Sequence, residues 1–243
     1  MIIDSDFHTH PFQERRDYAG MCEYAESALA KGLKRIVFTE HAPLDPAFGF
    51  DSRHYLDERE YEHYLECAER CRAEYAGRLE IGIGIEADYH PRNLEHVAGL
   101  RANYPFDHVG GSLHLHARFW AEETAGLTGD ARIAYALDRT LELVESGLFS
   151  GLNHLDFFRW KEAEYVPKRH EERFRAIFAA LVKREMSLEL NTSGILKAFK
   201  SFLPCAEVWR WSFDYPLRRT YGSDAHKSRD VGLELEAARR LFP

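Results

Sequence analysis

The chain has 243 residues, 45% hydrophobic and 30% charged, with a formal net charge of −8. This composition fits a folded globular protein and excludes a disordered or fibrous one, while the acidic balance argues against a nucleic-acid partner, because phosphate backbones are bound by clustered Lys and Arg. No apolar run approaches the roughly 20 residues of a membrane-spanning helix, and the opening MIIDSDFHTH lacks a basic region or apolar signal core, so a cytoplasmic location with no membrane partner is expected.

In chain order, strand-like segments bounded by turn or polar residues fall at 2–8, 35–39, 79–86, 107–113, 149–154, 187–191 and 219–222. Helical patterns lie between them. Met21, Ala25, Ala28 and Leu29 precede a Gly32 placed for a C-cap, and a helix over 133–146 stops at Gly147. Phe174, Ile177, Phe178, Leu181 and Val182 follow the spacing of one apolar helix face. A last helix is predicted over 233–241, with no strand after it. Strands alternating with helices predict a parallel sheet, and seven such units without a break in composition predict a closed (β/α)7 barrel of one domain over 1–243. Cys22, Cys67, Cys71 and Cys205 form no CxxC pair and read as reduced structural thiols.

Metal-ligating residue types recur at the ends of these strands. His8 and His10 end the first, Glu40 and His41 follow the second, Glu86 closes the third, His114 follows the fourth, His154 ends the fifth, and Asp224 with His226 follow the last. Only the sixth strand delivers none. Parallel barrels build their sites at the C-terminal rim, where side chains converge. Taken singly, HxH, Glu40-His41 and Asp224-Ala225-His226 each read equally well as incidental polar or capping residues. Glu86 ends the apolar run IGIGI, where a buried carboxylate needs a cationic partner or a metal. Imidazole and carboxylate donors without thiolate suit zinc, manganese or iron. They exceed the needs of one ion, and two or three divalent ions a few Å apart would acidify a shared water and clamp phosphoryl oxygens, so the expected chemistry is hydrolysis.

The blocks DFHTH (6–10), FTEHAPL (38–44), IGIEADYHP (83–91), YPFDHVGGSLH (104–114), SGLFSGLNHLD (146–156), LELNTSGILK (188–197) and GSDAHKSRDVG (222–232) together resemble the PHP (polymerase and histidinol phosphatase) family, in particular its monofunctional histidinol phosphate phosphatases. The resemblance implies a distorted (β/α)7 barrel and hydrolysis of a small phosphate monoester, L-histidinol phosphate first, with release of histidinol and phosphate. It implies one metal on His8, His10, Glu86 and Asp224, a second sharing Glu86 with His114 and His154, and a third on His41 and His226, with Glu86 and Asp224 central to catalysis. Arg16 stands where the family usually supplies a further ligand for the third ion, with Asp17 or Glu14 as substitutes. Glu40 is expected to orient ligands. Arg159 and Lys197 match the positions of phosphate-binding basic residues, and Asp156 and His116 are the candidate proton donors. Two rivals remain: a PHP phosphoesterase acting on nucleotides or oligonucleotide ends, and an idle PHP binding domain. His54, His63, His90, His96, His108 and His170 read as structural or solvated, and Trp120, Phe157, Phe158 and Trp160 as core or as a wall for a substrate ring. Oligomeric state is not legible.

Overall fold

The computed structural model describes residues 4–48, 55–161 and 165–242. The first two residues of the strand expected at 2–8, His54 and the side chain of Trp160 lie outside the described residues. Seven strands, β1 (Ser5–Thr9), β2 (Arg35–His41), β3 (Glu80–Asp88), β4 (His108–Ser112), β5 (Gly151–Leu152), β6 (Ser187–Asn191) and β7 (Arg218–Gly222), form one sheet in sequence order. Every neighbouring pair is parallel. Helices α1 (Tyr18–Ala30), α2 (Glu58–Glu74), α3 (Leu94–Asn103), α4 (Gly129–Ser146), α5 (Glu171–Lys183), α6 (Ala206–Trp211) and α7 (Leu235–Arg239) alternate with them. Parallel strands joined by helices present all their C-terminal ends on one side of the barrel.

The ring closes at a seam between β1 and β7. There the Asp224 amide donates to the His8 carbonyl at 2.8 Å and the His10 amide to the Ala225 carbonyl at 2.8 Å. Both bonds lie at the ligand-bearing end, so the two ends of the sheet are joined where the site is built.

Local sequence accounts for most of the elements. Phe174, Ile177, Phe178 and Leu181 of α5 are buried and pack in the same core as Ile133, Leu137 and Val144 of α4. Gly147, at φ 71°, ends α4 in the left-handed conformation that glycine adopts without strain. Asp57 caps α2 by accepting from the Glu60 amide at 2.7 Å. Several strand bounds differ from expectation: β1 continues to Thr9, β2 to His41 and β3 to Asp88, while β5 pairs only over Gly151–Leu152, and His154, expected to end it, has φ 26°, outside the extended conformation. All four cysteines are free thiols. Among the described residues no helix is long and apolar enough to cross a membrane.

Candidate metal centre

The centre is assembled around Glu86 at the end of β3, 1% exposed. Its two oxygens face different histidines. Oε2 lies 2.9 Å from His41 Nδ1 and 3.5 Å from both His8 Nε2 and His10 Nε2. Oε1 lies 2.9 Å from His154 Nε2 and 3.9 Å from His114 Nε2, and also accepts from the Ser112 hydroxyl. Asp224 adds its Oδ1 at 3.2 Å from His10 Nε2 and 3.8 Å from His8 Nε2. His226 Nδ1 is 3.4 Å from the same oxygen, and its ring centroid is 4.3 Å from that of His10. Six imidazoles and two carboxylates from six strand ends therefore meet in one pocket.

Three donor groups have ligand atoms within 4.8 Å of one another: His8, Glu86 and His154; His8, His10 and Asp224; and His10, His41 and His226. The second holds three of the four residues expected for the first ion, and the first shares Glu86 and His154 with the expected second site but has His8 in place of His114. The third brings His10 to His41 and His226, where sequence expectation named the latter two. A fit to cations rests on the donors themselves. His10 Nδ1 and His41 Nδ1 are buried facing carboxylate oxygens, Glu40 at 3.6 Å and Glu86 at 2.9 Å, a set of imidazole and carboxylate donors that suits a cation. Facing imidazole nitrogens at 3.1 Å in His8 and His10 also suit a shared cation better than a hydrogen bond between two rings that both belong to carboxylate networks.

The electrostatics follow from this crowding. Burial opposes charge on Glu86, but His41, His8 and His154 outweigh it and hold the carboxyl well below the usual range. Burial likewise opposes charge on Asp224, yet His8 and His10 hold it low. The imidazoles show the converse. His10, despite burial, is raised to about 9 by Asp224, Glu40 and Glu86, and His114, despite burial, to about 9 by Asp88 and Glu86. His154 and Asp224 have φ of 26° and 52°, strained for non-glycine residues, so backbone energy is stored at two ligand positions.

Other expected residues lie at varied distances from this cluster. Glu40 accepts from the Phe12 amide at 2.8 Å, the Gln13 side chain at 2.6 Å and the His41 amide at 3.1 Å, and stands 3.6 Å from His10 Nδ1, the position of an orienting group. Asp17 is not brought to the cluster: its Oδ1 caps α1 by accepting from the Gly20 amide at 2.8 Å, and its Oδ2 pairs with Arg15. Arg16 pairs with Glu60, and Glu14 accepts from the Ser228 amide at 3.1 Å. Phe157 covers the ligands, its ring centroid 4.9 Å from His154, 5.4 Å from His114 and 5.6 Å from His116. Lys197 Nζ lies 5.6 Å from the Phe157 ring centroid. His116 is exposed beside His114. Arg159 is buried and turned to the loop after β6, donating to Ser201 Oγ at 2.5 Å and the Phe202 carbonyl at 2.8 Å. Asp156 accepts from the Cys205 amide at 2.9 Å and Tyr165 hydroxyl at 3.1 Å, and burial raises its carboxyl. Trp120 is fully buried against His90.

Sequence reading overlooked a ring of supporting groups. Asp88 accepts from His114 Nδ1 at 2.8 Å and from Tyr55 at 2.6 Å. Glu189 lies 2.7 Å from His8 Nδ1. A usable signal existed for both. Glu189 is flanked by Leu188 and Leu190 in a buried strand, and Asp88 shares the face of Glu86 two residues on.

A model of the PHP domain matches residues 6–193. The chain belongs to the PHP domain family. Among relatives of this PHP chain, a probable histidinol-phosphatase of Deinococcus radiodurans is 29% identical over 227 residues, covering 89% of this chain and 84% of the relative. The histidinol-phosphatase of Bacillus subtilis is 26% identical over 268 residues, covering 96% and 97%. The histidinol phosphate phosphatase of Lactococcus lactis, solved with zinc, L-histidinol and phosphate, superposes with a TM-score of 0.77 at 22% identity, covering 98% of this chain and 92% of that one. These structures share the barrel; at such identity the likeness speaks to fold alone.

Proposed function

We propose that this PHP chain is a metal-dependent phosphatase that hydrolyses L-histidinol phosphate to L-histidinol and inorganic phosphate. The observation that carries the proposal is the gathering of His8, His10, His41, His114 and His154 around the two oxygens of Glu86, with Asp224 and His226 beside His10, in a chain similar over most of its length to histidinol-phosphatases of the same family. Two or three divalent ions, zinc, manganese or iron, would supply an acidified water and positive charge for the phosphoryl oxygens when bound.

The chain's own residues divide the remaining work. His8, His10 and Asp224 would hold one ion and His154 and His114 another, with Glu86, whose two oxygens face different imidazoles, available to both. His10, His41 and His226 form a third set. Lys197, beside the aromatic ring that covers the ligands, meets the substrate phosphate with charge. Arg159 acts at one remove by holding residues 201–202. Phe157 offers a flat apolar face for the substrate's imidazole ring. Water adds to phosphorus as the bond to the alkoxide oxygen breaks, and the alkoxide takes a proton. Of the two candidate donors His116 stands at the open rim, whereas the Asp156 carboxylate is engaged by Cys205 and Tyr165. The acidic balance disfavours long nucleic acids as substrates.

Phosphate release from L-histidinol phosphate by the metal-loaded protein, measured against a panel of nucleotides and other monoesters, tests the proposal. Preference for another monoester would reject the substrate while keeping the reaction class. Full activity in His154→Ala would reject that ligand.

A further inference from the structure

β6 is the strand without a metal ligand, yet its residues touch ligands from three other strands. Glu189, 3% exposed, accepts from His8 Nδ1 of β1 at 2.7 Å through one oxygen. Its other oxygen accepts from the strained His154 backbone amide at 2.7 Å and from the Asn191 side chain at 3.1 Å. Ser193, just past β6, donates to Asp224 Oδ2 at 2.9 Å. Reaching His8 from β6 means crossing β7, and Gly222 makes that possible. A Cβ at Gly222 would meet Glu189 Oε1 at 1.8 Å and His8 Cβ at 2.7 Å.

We propose that Glu189 is a positioning residue that fixes which nitrogen of His8 faces the centre and, with the same carboxylate, pins the turn that aims His154. The inference rests on the metal-centre reading above. Its logic is one of donors and acceptors. A carboxylate only accepts, so the His8 hydrogen sits on Nδ1 and the lone pair on Nε2, the nitrogen nearest Glu86 and Asp224. The partner of the His154 amide must also be an acceptor, because a backbone N–H cannot do otherwise. Glutamine at 189 has the same shape but cannot serve both. Its carbonyl is claimed by the His154 amide, which leaves its NH2 against His8 Nδ1. His8 must then accept at Nδ1 and carry its hydrogen on Nε2, where it blocks the ligand lone pair.

The test is zinc affinity, by competition with a chromophoric chelator, for wild type, Glu189→Gln, His8→Ala and the double variant, beside melting of the metal-free proteins. The expected result is that Glu189→Gln melts like wild type, binds its tightest zinc about tenfold or more weakly, and adds nothing in the His8→Ala background. Long-range imidazole nitrogen spectra are expected to show the His8 hydrogen moved from Nδ1 to Nε2. Should Glu189→Gln not fold, Glu189→Asp, which keeps the charge but shortens the reach to His8 Nδ1 by one methylene, is expected to weaken zinc binding in the same direction, and wild-type affinity in that variant would overturn the proposal. Wild-type affinity in the folded variant, or an equal further loss on top of His8→Ala, would overturn the proposal alone. Failure of the wild-type chain itself to take up zinc would overturn the metal-centre reading, and this inference with it.

Discussion

The barrel mouth and the α4–α5 layer use burial in opposite ways. Between α4 and α5 the buried side chains are Ile133, Leu137, Phe174 and Phe178, and the charges stand outside, as in the Arg173–Asp138 pair at 2.8 Å. At the mouth the buried side chains are imidazoles and carboxylates, and the backbones of His154 and Asp224 are strained. Apolar burial stabilises a domain by roughly 25 cal/mol per Å², whereas buried charge and strain cost free energy unless paired. The comparison teaches that the helical layers stabilise what the mouth destabilises, and that function and stability are separable by position.

Substitutions can break that separation. Glu86→Gln, which removes the charge that both sets of histidines face, is expected to lower kcat/KM for phosphate release by about a thousandfold or more, since charge stabilisation of this kind is worth several kcal/mol. Melting that stays close to wild type in the metal-free form would complete the separation. Phe178→Ala is expected to do the reverse: a loss of about 3–5 kcal/mol in denaturant unfolding, with specific activity of the folded fraction unchanged. A lost activity without lost stability there would refute the division. Lys197→Ala, at the edge of the mouth, is expected to reduce kcat/KM about ten- to a hundredfold, the range of one charged hydrogen bond, and to weaken inhibition by inorganic phosphate.

A smaller effect concerns protons. With no metal bound, the carboxylates around His10 and His114 overcome burial and keep both protonated up to about 9. A ligand nitrogen must shed its proton to bind a metal. Zinc binding at neutral pH is therefore expected to release protons, and its apparent affinity to rise as pH approaches about 9. Calorimetry in buffers of different ionisation enthalpy measures this directly, and an affinity flat over that interval would contradict it. Smallest of all, Arg173→Ala in the outer layer is expected to cost at most about 1 kcal/mol and to leave turnover untouched.

The barrel was legible because its elements carry local signatures, and the residues proposed as ligands stood out because they recur at strand ends. Period-3.6 spacing marks helices such as α5, short segments bounded by turn or polar residues mark the strands, and the carboxylate that closes the apolar run IGIGI marks Glu86. What sequence alone could not give is direction. Asp17, seven residues after His10, caps α1 instead, because a helix start offers a carboxylate unpaired N–H groups at no cost in distance. Arg159 matches a phosphate-binding position, and one of its terminal nitrogens is turned to Ser201 and the Phe202 carbonyl, a contact the sequence does not announce. The roles of Glu189 and Asp88 depend on a neighbour far away in the chain: the Glu189 partner His8 is 181 residues distant. Only the closed barrel creates those pairs.

The seam between β1 and β7 has a consequence for how the molecule comes into being. The backbone bonds that close the ring flank His8, His10 and Asp224, so the same residues that complete the circle also complete the pocket. A chain emerging from the ribosome can fold six of its seven units and still lack a working centre until the final strand docks. An ion held across that junction would act as a clasp, tying the first strand of the barrel to the last and making assembly and activation a single event.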